Sequence, residues 1–278
     1  MKTGLCAQIL IYDDMQYVHF MLENVLKYCD EVLFLVNKHP LNYNVNNKYD
    51  NSETVNKLKE LQKDNAKISI IWEDWRTEEE TRNYGLNWAL HQNCEYSLIV
   101  DTDEVYDDAS LRRLKDLLEV AEASLSGNWI YHTNWKTYWK KYNGPLCVIN
   151  PPESFQPVVV VRNRNAKFVH LRHCMPFDRG QQLQQNHGRA LLPEGFLNLH
   201  HFSYARSDEF ISRKCKESGH SANGDLMQGW FENVWMKWKL GDKNLHPINP
   251  EQYKEAILVK KENLPNKELQ VYFFGENV

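Results

Sequence analysis

The chain has 278 residues, 42% of them hydrophobic and 25% charged, which suits a folded globular protein and excludes wholesale disorder. A formal charge of −4 gives no general attraction to nucleic acid or an anionic membrane, and no apolar run approaches a membrane span. The six cysteines (Cys6, Cys29, Cys94, Cys147, Cys174, Cys215) are widely spaced with no Cys-x-x-Cys pair, and no signal-peptide pattern precedes residue 5, so reduced thiols and a cytoplasmic, soluble protein are expected.

Residues 5–12 form an apolar run that predicts a first strand closing at Asp13-Asp14. Residues 17–28 place Val18, Met21, Leu22, Val25 and Leu26 at helical spacing, and residues 31–36 predict a second strand. The Asn-rich stretch 42–51 predicts a surface loop, and Ser52 with Val55, Leu58 and Leu61 a capped amphipathic helix. Residues 67–72 predict a third strand ending at Glu73-Asp74. Residues 77–91 predict a helix with Thr77 as N-cap and Glu78, Glu79 and Glu80 in its first turn, where acids complement the helix dipole. A short buried strand over residues 96–100 then closes in three carboxylates within four residues: Asp101, Asp103 and Glu104.

This alternation of strand and helix predicts an α/β protein, with a mostly parallel sheet, right-handed crossovers and flanking helices. In such a sheet the carboxyl ends of the strands share one edge, so Asp13, Asp74 and the pair Asp101/Asp103 would converge on one crevice. Strand alternation would turn Asp101 and Asp103 to the same side. Two carboxylates that close repel each other unless a cation intervenes, and hard Mg²⁺ or Mn²⁺ prefers oxygen ligands and often bridges carboxylate to phosphate. Taken alone, Asp-x-Asp is equally the pattern of a solvated acidic loop.

The strand over residues 29–37, the segment Arg82-Asn83-Tyr84-Gly85-Leu86 and the closing Asp101-Thr102-Asp103-Glu104 come in an order and spacing that decide the matter. Residues 5–106 resemble the first half of a GT-A glycosyltransferase of the family 2 type. The resemblance implies a Rossmann-like GT-A fold, with residues 1–106 as the nucleotide-sugar-binding half. Residues 107–278 would be the acceptor-binding half, a region of strands and helices with a C-terminal helical extension, in one continuous catalytic domain. It further implies a nucleotide-sugar donor (a UDP-sugar favoured), Mn²⁺ or Mg²⁺, and an acceptor that is a glycan, glycolipid, protein or modified nucleic acid. Asp103 would be the principal metal ligand, Asp101 its neighbour towards ribose or metal, and Asp74 would face the base. Asp13 and Asp14 replace the Asn-Glu pair that such proteins usually carry there, a departure from the pattern, and Asp13 would be a further nucleotide-sugar contact. The physical reason for a metal is that a departing nucleoside diphosphate gathers negative charge, which a bound cation stabilises. Arg82 reads as a positive group near the phosphates or holding the Asp-x-Asp loop, or else as a helix-face partner of Glu78 or Glu79.

Further along, residues 129–139 are aromatic-dense and strand-like, as a core or as stacking surfaces for sugar or base. Residues 157–162 predict a strand, with residues 168–171 as its partner across a turn at 163–165. Residues 197–204 predict a short strand before a polar helix over 208–219, and the pair His200-His201 resembles in position the metal-ligating His of GT-A enzymes. Alternation lets only one of the two point inward, and parity with Leu197 and Leu199 selects His201. An inverting transfer needs a base, for which Asp178, Glu194 and Glu153 are candidates from loop contexts, whereas a retaining one does not. Residues 229–238 predict a helix whose apolar residues circle much of its surface, suited to packing. Two other readings are a nucleotidyltransferase-like enzyme, against which the lack of a glycine loop after Tyr12 speaks, and a non-catalytic nucleotide- or sugar-binding module.

Overall fold

A computed structural model describes residues 4–39, 51–123, 129–142, 144–217 and 224–276; the Asn-rich stretch up to residue 50 and the end of the polar helix at 218–219 lie outside them. The first half forms β1 (Leu5–Ile11), α1 (Val18–Tyr28), β2 (Glu31–Asn37), α2 (Ser52–Asp64), β3 (Ile68–Glu73), α3 (Glu78–His91), β4 (Tyr96–Asp101), β5 (Glu104–Tyr106) and α4 (Asp108–Ala123). Then come β6 (Ile130–His132), β7 (Trp135–Trp139), β8 (Cys147–Asn150), β9 (Val158–Arg162), β10 (Ala166–His170), β11 (His173–Asp178), β12 (Gln181–Gln182), β13 (Arg189–Leu191) and β14 (Leu199–Tyr204). The chain closes with α5 (Asp208–Glu217), α6 (Gly224–Trp230), β15 (Glu255–Leu258) and α7 (Lys267–Phe274). These elements fall into two compact units, Met1–Thr102 with Tyr106–Thr133 and Gln156–Asn198, and Asp103–Val105 with Asn134–Phe155 and Leu199–Val278. The division cuts between Thr102 and Asp103, inside the acidic motif.

The first unit is built on a seven-stranded sheet of order β13-β6-β9-β4-β1-β2-β3. Its centre is parallel: β1 pairs with β2 and β4, and β2 with β3. β1, β2 and β4 are almost wholly buried, as expected for near-continuous apolar runs covered on both faces. The predicted α/β class and mostly parallel sheet are thus what the chain forms, and the ends of β1, β3 and β4 share one edge. Helix α3 starts as its sequence foretells, with the Thr77 side chain accepting a hydrogen bond from the Glu80 amide. It approaches β1 closely at Gly85, where an added Cβ would fall 1.9 Å from the Gln8 side-chain nitrogen. That same Gln8 amide donates to the Arg82 carbonyl at 2.8 Å. Gly85 therefore permits the close contact that fixes the helix turn carrying Arg82.

One pairing differs from expectation. The hairpin predicted between residues 157–162 and 168–171 does not form. β9 enters the large sheet between β4 and β6, antiparallel to both, while β10 pairs with β11 in a separate three-stranded sheet, β10-β11-β12. The reason lies in their sides. Val158 through Val161 are all buried, which suits an interior strand, whereas β10 buries Ala166 and Phe168 and exposes Lys167 and Val169.

The second unit carries a five-stranded sheet of order β15-β8-β7-β14-β5. β7 and β14 run parallel with Leu199 opposite Trp135 and His201 opposite Thr137. Its core is aromatic, with Trp139, Tyr204, Trp230, Trp235, Trp238 and Tyr253 buried together. The stretch 229–238 packs here, as α6 running into a π-helical turn, Phe231–Trp235. The aromatic run 129–139 is split: β6 serves the first unit's sheet and β7 the second's.

Candidate active site

In the first unit, the end of β4 is an ion-pair cluster. The Arg82 guanidinium donates to Glu78 Oε1 at 2.6 Å and to Asp101 Oδ1 at 3.0 Å. Arg172 donates to Asp101 Oδ2 at 3.2 Å and to the carbonyls of Ile99 and Val158, each at 3.2 Å. Both arginines are buried. Burial works against the Arg82 charge, but the Glu78 and Asp101 carboxylates outweigh it and hold its pKa above the usual value. Charge-assisted hydrogen bonds on both carboxylate oxygens fix Asp101 in place. Arg82 thus pairs with Glu78 and also secures the Asp-x-Asp segment. Beside it, the Thr102 hydroxyl donates to Asp14 Oδ2 at 3.1 Å, tying the residues after β4 to the loop after β1. Asp13 is half-buried in that loop, and Asp74 is exposed just past β3.

Asp103 belongs to the second unit. β4 ends at Asp101 and a turn at Thr102-Asp103 leads into β5, so the expected same-side alternation of the two aspartates does not apply. The Asp103 carbonyl accepts from the Phe202 amide at 2.8 Å, which ties the motif to β14. Its carboxylate stands 3.8 Å from His201 Nε2 through Oδ1 and 3.8 Å from Arg206 Nη2 through Oδ2, both beyond hydrogen-bonding distance. The His201 ring stacks on Trp135, centroids 4.1 Å apart and planes 7° from parallel. Arg206 is fully buried, its guanidinium 4.5 Å over the Phe210 ring.

The structure separates the two histidines as strand geometry requires. His201 is turned to Asp103, while His200 Nδ1 lies 2.8 Å from the Tyr138 hydroxyl, in a buried contact that does not bring it to the carboxylate. Asp178, at the end of β11, and Glu194, in the turn before β14, are exposed. Glu153 is buried and accepts from the Thr137 hydroxyl at 2.6 Å. Arg172 and Arg206 escaped the sequence reading. Each is a lone arginine beside a strand, and nothing in its neighbours marks it; only the fold carries it to an aspartate. Among the described residues, no group of three or more His, Cys, Asp and Glu side chains is arranged to hold a metal ion.

The sequence profile described as Glycosyl transferase family 2 matches residues 11–181. The chain belongs to glycosyl transferase family 2. That span contains the Arg82 segment, Asp101, Asp103 and Arg172, and stops short of His201 and Arg206. No curated protein sequence matches the chain. Solved structures similar to this family 2 chain include S. aureus TarS, at 13% identity and a TM-score of 0.42, covering 85% of this chain and 44% of that one. This chain therefore spans less than half the length of that protein. TarS 1–349 in complex with UDP aligns at 12% identity and a TM-score of 0.41, over 85% of this chain and 73% of that one. A 4-diphosphocytidyl-2C-methyl-D-erythritol synthase from Anaerococcus prevotii aligns at 13% identity and a TM-score of 0.35, over 58% and 70%. Among the described residues, no helix of this family 2 protein is long and apolar enough to cross a membrane.

Proposed function

We propose that this family 2 protein transfers a sugar from a nucleotide-diphosphate donor, a UDP-sugar foremost, with Mn²⁺ or Mg²⁺ held by Asp103 and His201. One observation supports this reading above the others: a carboxylate oxygen and an imidazole nitrogen face each other at 3.8 Å without a hydrogen bond between them. That donor set suits Mn²⁺ and is acceptable to Mg²⁺, and both ions keep several positions for water and substrate phosphate, so two protein ligands suffice. When bound, the cation neutralises charge gathering on the departing diphosphate.

The chain's own residues divide the remaining work. Asp101 is a positioning residue, clamped by Arg82 and Arg172 at the end of β4. Arg206 restrains the second oxygen of Asp103 electrostatically. Trp135 fixes the plane of the His201 ring. Asp13 and Asp74 lie at strand ends on one edge of the first unit's sheet, where such a sheet places its ligands.

The test is thermal unfolding of the wild type and Asp103→Ala with UDP, GDP or CMP, each with and without Mn²⁺. A ligand at 100 times its Kd should stabilise the wild type by about 3 kcal/mol. The expected stabilisation requires both Mn²⁺ and one nucleotide and vanishes in the variant. Equal stabilisation of both proteins, or none with any nucleotide, overturns the reading.

A further inference from the structure

We propose that Glu153 is a positioning residue that, through Thr137, fixes which ring nitrogen of His201 carries the proton. Thr137 on β7 lies directly opposite His201 on β14 in the parallel register, so their side chains share one face of the second unit's sheet. The Thr137 hydroxyl donates to Glu153 Oε1 at 2.6 Å, and its oxygen lies 3.4 Å from His201 Nδ1. A hydroxyl has one hydrogen to give. Committed to Glu153, the Thr137 oxygen can only accept from the ring, which places the imidazole proton on Nδ1. The lone pair is then on Nε2, the nitrogen 3.8 Å from Asp103 Oδ1. Stacking on Trp135 keeps the ring from turning its nitrogens elsewhere.

Glu153 itself calls for such an explanation. It is buried, and among the described residues it forms no ion pair; it accepts from the hydroxyls of Thr137 and Tyr253, the latter at 3.4 Å. A carboxyl group buried without a cation is costly, and an apolar side chain would fill the space with less penalty. What an apolar side chain cannot do is take the Thr137 hydrogen. The inference rests on the reading of Asp103 and His201 as a cation site only for its consequence, not for its geometry.

The experiment uses the metal-free full chain labelled with ¹⁵N-histidine, the His201 ring assigned by its loss in His201→Gln. Long-range ¹H–¹⁵N correlations should show the Nδ1–H form in the wild type, in Thr137→Ser, which keeps the hydroxyl, and in Glu153→Gln, which keeps an acceptor. Thr137→Val and Glu153→Leu should shift the ring towards Nε2–H. Mn²⁺ alone, titrated and followed by its EPR signal, should bind about 10-fold more weakly to folded Thr137→Val. An Nε2–H ring in the wild type, or an unchanged ring in folded Thr137→Val, overturns the proposal even if Mn²⁺ binds through Asp103. The expected tautomers with no Mn²⁺ uptake by the wild type leave the relay standing and remove the cation reading instead.

Discussion

Around Asp101, two buried arginines meet the carboxylate oxygens at 3.0 and 3.2 Å; around Asp103, His201 and Arg206 each stop at 3.8 Å. The two aspartates are separated by one threonine, yet the arginines at the first make direct charge-assisted hydrogen bonds, whereas His201 and Arg206 stand beyond that distance from the second. The contrast underlies the different work proposed for two residues that look equivalent in the motif. A carboxylate whose charge is already answered by the protein supports structure.

The comparison is broken most directly by stability. Asp101→Asn places an amide NH₂ against a buried guanidinium, and breaking such a pair costs about 3–5 kcal/mol when fully buried. Because the Asp101 side chain is 34% exposed, the expected loss is at the lower end, about 3 kcal/mol. Asp103→Asn removes a charge 3.8 Å from the buried Arg206 guanidinium, beyond hydrogen-bonding distance, and should cost less, about 2 kcal/mol. Denaturant midpoints check both, and equal losses would erase the distinction.

A smaller effect sharpens the Asp103 side. Burial pushes the Glu153 carboxyl above its ordinary value of 4.5, against hydrogen bonds from Thr137 and Tyr253. An acid with a raised pKa binds more protons folded than unfolded, so its contribution is full below 4.5 and is lost as pH rises through the folded value. Glu153→Gln should flatten that part of the stability curve, measured by denaturant unfolding from acid to neutral pH. An unchanged slope would show that Glu153 is not held as the structure has it.

The smallest effects belong to the exposed carboxylates. Asp178→Asn and Glu194→Gln should leave transfer rates within about twofold of wild type, the range of surface substitutions. A 100-fold loss at either would support that residue as the catalytic base.

Several parts of this molecule were legible before any fold was drawn, and each was a local signal. The apolar runs of β1, β2 and β4 read as buried parallel strands because two covered faces leave no polar alternation. Thr77 and the three glutamates after it marked the start of α3 through capping chemistry. Alternation put His200 and His201 on opposite sides of β14, though both are buried there.

Other features depended on contacts that no window of sequence contains. The rule of alternation failed at Asp101 and Asp103 because β4 stops at the first of them, and the turn that follows feeds a strand of another sheet. Arg172 reaches Asp101 from 71 residues away, and Thr137 meets His201 from 64. β9 chose the large sheet over its sequence neighbour β10 because burial on both faces outweighed proximity along the chain. By itself, the sequence determined the alternating strands and helices from β1 to β4 and the family resemblance, because propensity, capping and hydrophobic period act over a few residues. Which aspartate is clamped and which is left facing a histidine was decided only by tertiary structure, because the charges that make the difference are brought together by strand pairing rather than by spacing.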